Sequence, residues 1–172
     1  VQVKICGIRR EADIHFLNEF LPHYAGFVFA ESKRRVTARE AAELIQKLDS
    51  RVKPVGGFVN APPEEVAQTA DFCGLLAVQL HGDEDGTYIR RLRTLLPAGT
   101  AIWKAVRVRE EGDIVQADST DVDILLLDSY TEKVYGGTGK SFNWNIVAEH
   151  PPKNTFFVAG GLTPLNIIEA IR

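Results

Sequence analysis

Methionine is absent from the 172 residues, and cysteine occurs only at Cys6 and Cys73. With no Cys-x-x-Cys spacing, the two thiols could form at most one bridge, which a chain of this length does not need in order to fold; a reducing cytoplasm is the expected compartment. No uninterrupted apolar run approaches the roughly 18 residues that span a bilayer, and the N-terminus lacks a basic stretch followed by an apolar core, so neither a membrane span nor export is expected. Neither sign of charge dominates: 20 basic against 23 acidic residues give −3. That balance argues against a duplex or an anionic membrane as the main partner. No Ser/Gly-rich linker divides the chain, so residues 1–172 are read as a single domain. Without an initiator methionine, the chain need not be the whole gene product.

What is present is the balance of a globular domain, 45% hydrophobic and 25% charged. Short apolar, β-branched runs fall at 3–6, 25–29, 54–59, 75–80, 101–106, 124–127 and 155–159. Between them lie amphipathic stretches such as 39–48, with Ala41, Ala42, Leu44, Ile45 and Leu48 on one face, and 88–96, with Ile89, Leu92, Leu95 and Leu96. Helix-start signals precede such stretches: Thr37 three residues before Glu40, Pro62-Pro63 before Glu64-Glu65, and Thr163-Pro164 before Leu165. Each strand thus feeds a helix. Strands that are apolar throughout are covered on both faces, which predicts a parallel sheet.

Two architectures fit this alternation, an open doubly wound sheet and a closed (β/α)8 barrel. The open fold usually carries a glycine-rich turn after its first strand, where this chain has only Cys6-Gly7-Ile8. The barrel is therefore favoured. Its eighth βα unit is apparently missing from the given chain, and about 30 further residues would supply it.

In such a barrel the chemistry lies where strands end and helices begin. Cys6-Gly7 follows the first run, Ser32-Lys33-Arg34 the second, Asn60 the third, His81-Gly82 the fourth, Asp128 the sixth and Gly160-Gly161 the seventh. Cys6 is either a buried apolar filler or a nucleophile or base, and the second role needs a positive neighbour that favours the thiolate. Lys4 looks poorly suited to that task, being two residues back along the strand. Cys73 reads as a buried helix residue. Asp128 closes an apolar run, where lost hydration favours the protonated acid; the alternative is a turn or helix cap. Arg34, in a basic cluster, could hold a carboxylate or phosphate through its planar fork. Gly160-Gly161 could offer bare backbone amides to a phosphate at a helix start. The acidic run after His81, Asp83-Glu84-Asp85, reads as helix capping, and no metal is expected. The stretch from Tyr135 through Ser141 superficially resembles a nucleotide-binding loop but lacks the strand–loop–helix context, so an ATPase is rejected.

Taken in order, Lys4-Ile5-Cys6-Gly7, Gly26-Phe27-Val28-Phe29 with Ser32-Lys33-Arg34, Val78-Gln79-Leu80-His81-Gly82, Leu126-Leu127-Asp128, Tyr135-Gly136-Gly137-Thr138-Gly139-Lys140 with Phe142 and Trp144, and Ala159-Gly160-Gly161-Leu162 with Asn166 resemble the phosphoribosylanthranilate isomerase family over the whole chain. The resemblance implies a (β/α)8 barrel enzyme of tryptophan biosynthesis, working without a cofactor on a phosphorylated sugar–anthranilate conjugate. It implies a general base at Cys6, a general acid at Asp128, a carboxylate-binding Arg34, a supporting role for His81, and phosphate binding at Gly160 and Gly161. It is compatible with a monomer or a homodimer. Two departures stand out: the family's Ser/Gly-rich eighth-strand phosphate loop has no counterpart before Arg172, and Gly57 replaces a bulky β-branched residue, leaving room for a packing gap. A different sugar-phosphate barrel such as indole-glycerol-phosphate synthase, lacking here its expected lysine-rich arrangement, and a non-catalytic sugar-phosphate-binding barrel are the other readings.

Overall fold

The computed structural model describes residues 1–129 and 144–171, which form two compact units, Val1–Ile102 and Trp103–Arg172. The first unit runs β1 (Lys4–Cys6), α1 (Glu11–Phe20), β2 (Tyr24–Val28), α2 (Ala38–Ile45), β3 (Lys53–Phe58), α3 (Pro63–Cys73), β4 (Ala77–Leu80) and α4 (Gly86–Leu95). β5 (Ala101–Val108) spans the division and is followed in the second unit by α5 (Glu111–Asp118), β6 (Ile124–Ser129), α6 (Asn145–Glu149), β7 (Phe156–Val158) and α7 (Ile167–Ala170). All seven strands anticipated from the apolar runs are present, with ends shifted by one or two residues.

Within the first unit β1, β2, β3 and β4 lie side by side and parallel. Their apolar side chains supply the core, with Ala25, Phe27, Val55, Phe58, Val78 and Leu80 all buried alongside Leu17, Leu44, Val66, Ile89 and Leu92 from the helices. Each of the Val, Leu, Ile and Phe side chains among them contributes about 1.5–3 kcal/mol by leaving water. The helices start where their sequences dictate. Thr37 Oγ1 accepts the Glu40 N–H and the Glu40 carboxylate accepts the Thr37 N–H, closing the expected capping box of α2. Pro63 opens α3, where its missing N–H leaves no intrahelical bond unmade.

In the second unit β5, β6 and β7 are parallel neighbours. Val108, Ile114, Ala117, Leu125, Leu127 and Val147 form its buried cluster, and the Trp103 and Phe157 rings stack at 5.0 Å. α7 departs from expectation. It begins at Ile167 rather than at Leu165, because Thr163 donates its N–H to Asn166 Oδ1 at 2.7 Å and the Thr163-Pro164-Leu165 stretch is used in that turn.

Candidate active site

The ends of β1, β2 and β4 carry the first group of candidates. Gly7 follows Cys6 with φ +94°, a backbone state open to glycine, and a Cβ there would lie 2.5 Å from Arg34 Cδ. Arg34 can therefore fold close over the chain behind Cys6, where its Nη1 donates to the Cys6 carbonyl at 3.4 Å. Cys6 itself is exposed, unlike Cys73, which is buried and donates its thiol to the Ala38 carbonyl. Burial pushes the Cys73 thiol up, in keeping with its reading as a core residue. Cys6 and Arg34 also line an open groove of about 890 Å³ that runs along β1 and α1.

Lys4 corrects an expectation. The two-residue spacing that seemed to remove it from Cys6 places both on one face of β1, since side chains alternate along a strand. Read across the register, Cys6, Gly26, Val55 and Ala77 make one row, and Val28, Gly57 and Gln79 the next. In a flat sheet β1 and β4 would stand about 14 Å apart, three strand spacings. Lys4 Nζ nevertheless donates to Gln79 Oε1 at 2.9 Å, so the shared face is the inside of a curved sheet. Gln79 Nε2 in turn lies 2.9 Å from His81 Nδ1. An ammonium only donates, so the Gln79 oxygen must face Lys4 and its NH2 must face His81; neutral His81 then accepts at Nδ1 and carries its proton on Nε2. Lys4 and Gln79, not singled out from the sequence, thus orient His81.

A second brace joins the β3 and β4 ends. Glu84, 6% exposed, accepts the N–H groups of Asn60 at 2.8 Å and Gly82 at 2.9 Å, while Asn60 Oδ1 accepts the Asp83 N–H at 2.7 Å. Capping holds for Asp85, whose carboxylate accepts the Tyr88 N–H of α4, but Glu84 clamps two loops instead. Tyr88, donating to the Ala61 carbonyl beside this brace, is pushed up to about 12 by burial and by the nearby carboxylates of Glu84, Glu64 and Glu65. Gly57 leaves the room expected of it: a Cβ there would meet only the Phe27 carbonyl, at 3.7 Å.

The second unit holds the remaining candidates. Asp128 is 4% exposed at the end of β6, behind the buried Leu125, Leu126 and Leu127, and its register partner on β5 is Arg107. The sequence reading singled out Asp128 through its apolar run and passed over Arg107, which sits in a strand of mixed character. Gly160 and Gly161 follow β7 with φ +81° and +67°, and Asn166 Nδ2 donates to the Gly161 carbonyl at 2.9 Å. The glycine-rich stretch at 135–141, with Phe142, lies outside the described residues. Among the described residues no helix is long and apolar enough to cross a membrane, and no cluster of metal-ligating side chains forms.

The family model described as N-(5'phosphoribosyl)anthranilate (PRA) isomerase matches residues 3–172. A relative from Caldanaerobacter subterraneus, the N-(5'-phosphoribosyl)anthranilate isomerase, is 42% identical over 172 residues, covering 100% of this chain and 82% of its own. The crystal structure of phosphoribosyl anthranilate isomerase from Thermotoga maritima is 33% identical, with a TM-score of 0.86 over 99% of this chain and 82% of that one. A further isomerase structure, in complex with reduced 1-(o-carboxyphenylamino)-1-deoxyribulose 5-phosphate, is 32% identical, with a TM-score of 0.82 over 99% of this chain and 81% of that one. The seven alternating βα units are those of this barrel-type fold.

Proposed function

Because the chain belongs to the N-(5'-phosphoribosyl)anthranilate isomerase family, we propose that it converts N-(5-phosphoribosyl)anthranilate to 1-(2-carboxyphenylamino)-1-deoxyribulose 5-phosphate in tryptophan biosynthesis, with Asp128 as general acid and Cys6 as general base. Ring opening needs a proton on the furanose oxygen as its bond to C1 breaks. Asp128 supplies it, and its seclusion from water directs that proton to the substrate rather than to solvent. The product of this step is a Schiff-base cation, whose charge acidifies the hydrogen on C2. The Cys6 thiolate removes that hydrogen, giving an enolamine that tautomerises to the ketone. One proton is given and one taken, so exchange with solvent resets both groups. Arg34 holds the anthranilate carboxylate through two parallel hydrogen bonds, His81 donates from Nε2, and the Gly160-Gly161 backbone contributes to phosphate binding.

The observation that supports this reading most is the end of β1, where Cys6 is followed by Gly7 and Arg34 folds over Gly7 with its Nη1 on the Cys6 carbonyl. The test is the decay of substrate fluorescence. Cys6→Ser and Asp128→Asn are each expected to lower kcat/KM by about 10²–10⁴. Near-normal turnover in both would overturn the assignment.

A further inference from the structure

Cys6 pairs in register with Gly26 on β2. A Cβ built on Gly26 would stand 2.9 Å from Cys6 Sγ and 2.9 Å from Lys4 Nζ. Two atoms that close to one point are within about 6 Å of each other, the range over which a cation stabilises an anion. The ammonium is fixed in that place by Gln79, itself 5% exposed, whose Oε1 accepts from Nζ at 2.9 Å. This partner is a neutral amide, so the positive charge is not taken up by an ion pair there. The carboxylates on neighbouring connections are engaged elsewhere: Asp13 pairs with Arg10 at 2.8 Å, and Glu84 accepts the N–H groups of Asn60 and Gly82. The other titratable or charged groups near the pair, among the described residues, are Tyr24 and Lys53, in the same row as Lys4, with Lys53 Nζ set over the Tyr24 ring; Arg34, behind Cys6, and His81, on the Gln79 face of β4; and Arg9, Arg10, His23 and Lys33 along the groove that Cys6 lines.

We propose that Lys4 is a positioning residue that acts through Cys6: its ammonium, anchored by Gln79 and admitted by the missing side chain of Gly26, holds the sulfur as thiolate. The inference rests on the reading of Cys6 as the base. It explains why a strand of three residues carries a lysine on its inner face, and why the adjoining β2 position has no side chain.

The test is the rate of Cys6 carbamidomethylation by iodoacetamide, followed by mass spectrometry across a pH series on the whole chain. Lys4→Met is expected to react about tenfold more slowly at neutral pH, with its rate-against-pH curve displaced to higher pH and meeting the unmodified chain in alkali. Lys4→Arg should keep most of the reactivity, and Gln79→Leu, which frees the ammonium from its anchor, should move the curve the same way by less. Modification of buried Cys73 reports unfolding, and if Lys4→Met unfolds, Gln79→Leu against Lys4→Arg decides. Curves coincident with that of the unmodified chain would overturn the proposal. Turnover of Cys6→Ser is read separately: normal turnover there removes Cys6 as base while leaving the Lys4–Cys6 coupling intact.

Discussion

The two units open in the same way and then diverge in chemistry. After β1, the Asp13 carboxylate turns back to accept the N–H groups of Arg9 and Arg10; after β5, Asp113 does the same for Arg109 and Glu110. These are matching solutions to one problem, the unsatisfied amides at a helix start. The strand ends differ. In the first unit, Cys6 is exposed and flanked by Lys4 and Arg34; in the second, Asp128 is buried behind three leucines. A thiol works as a base when charge is near and a substrate hydrogen can reach it, whereas an acid that must keep its proton for the substrate is best kept from bulk water. The shared frame is structural, and the proposed roles rest on the difference.

The largest effect that would break this contrast comes from opening the dry side. Asp128→Asn keeps the shape and removes the carboxyl, and a fall in kcat of about 10²–10⁴ is expected from substrate-fluorescence kinetics. A smaller effect tests the crowded side. Gly26→Ala puts a methyl 2.9 Å from the sulfur and from Nζ, and 3.2 Å from the Cys6 Cα. It should destabilise by about 1–3 kcal/mol in urea melts and slow turnover, whereas Gly57→Ala, with open space, should stay within about 0.5 kcal/mol. Glu84→Gln should cost about 1–3 kcal/mol by weakening a buried acceptor of two backbone amides, measured by the same melts.

The smallest effects lie in the shared frame. The Arg10 guanidinium holds the Asp13 carboxyl below the usual carboxylate range. At Asp113 burial acts against the charge, but Arg109 and the two backbone amides outweigh it and the carboxyl is again lowered. A lowered acid stabilises fully above its ordinary value of 3.8 and loses that stabilisation as pH falls through the lower folded value. Asp13→Asn and Asp113→Asn should therefore each lose about 1 kcal/mol at neutral pH and show a flatter decline of stability on acidification. A slope equal to that of the parent chain would remove these carboxyls from the acid response.

Much of this was legible in one dimension. Continuous apolar runs marked the strands because parallel strands are covered on both faces, and Thr37 with Glu40 marked the start of α2 because both halves of a capping box lie within one turn. Cys6, Arg34, His81 and Asp128 could be found from their places after those runs. Lys4 could not be credited while sequence distance was used in place of strand alternation, which puts positions two apart side by side. The Lys4–Gln79 bond joins strands separated by two others, so it depends on the curl of the sheet, which no local pattern encodes. Glu84 was read as a cap because its partner, the Asn60 amide, lies on another loop.

The most direct measurement is a crystal structure of this chain with reduced 1-(o-carboxyphenylamino)-1-deoxyribulose 5-phosphate bound. The expected result is one ligand within hydrogen-bonding reach of both the Cys6 sulfur and the Asp128 carboxyl, with Arg34 on its carboxylate. A ligand that touches only one of the two, or a wall of side chains between either group and the sugar, would contradict the assignment of base and acid.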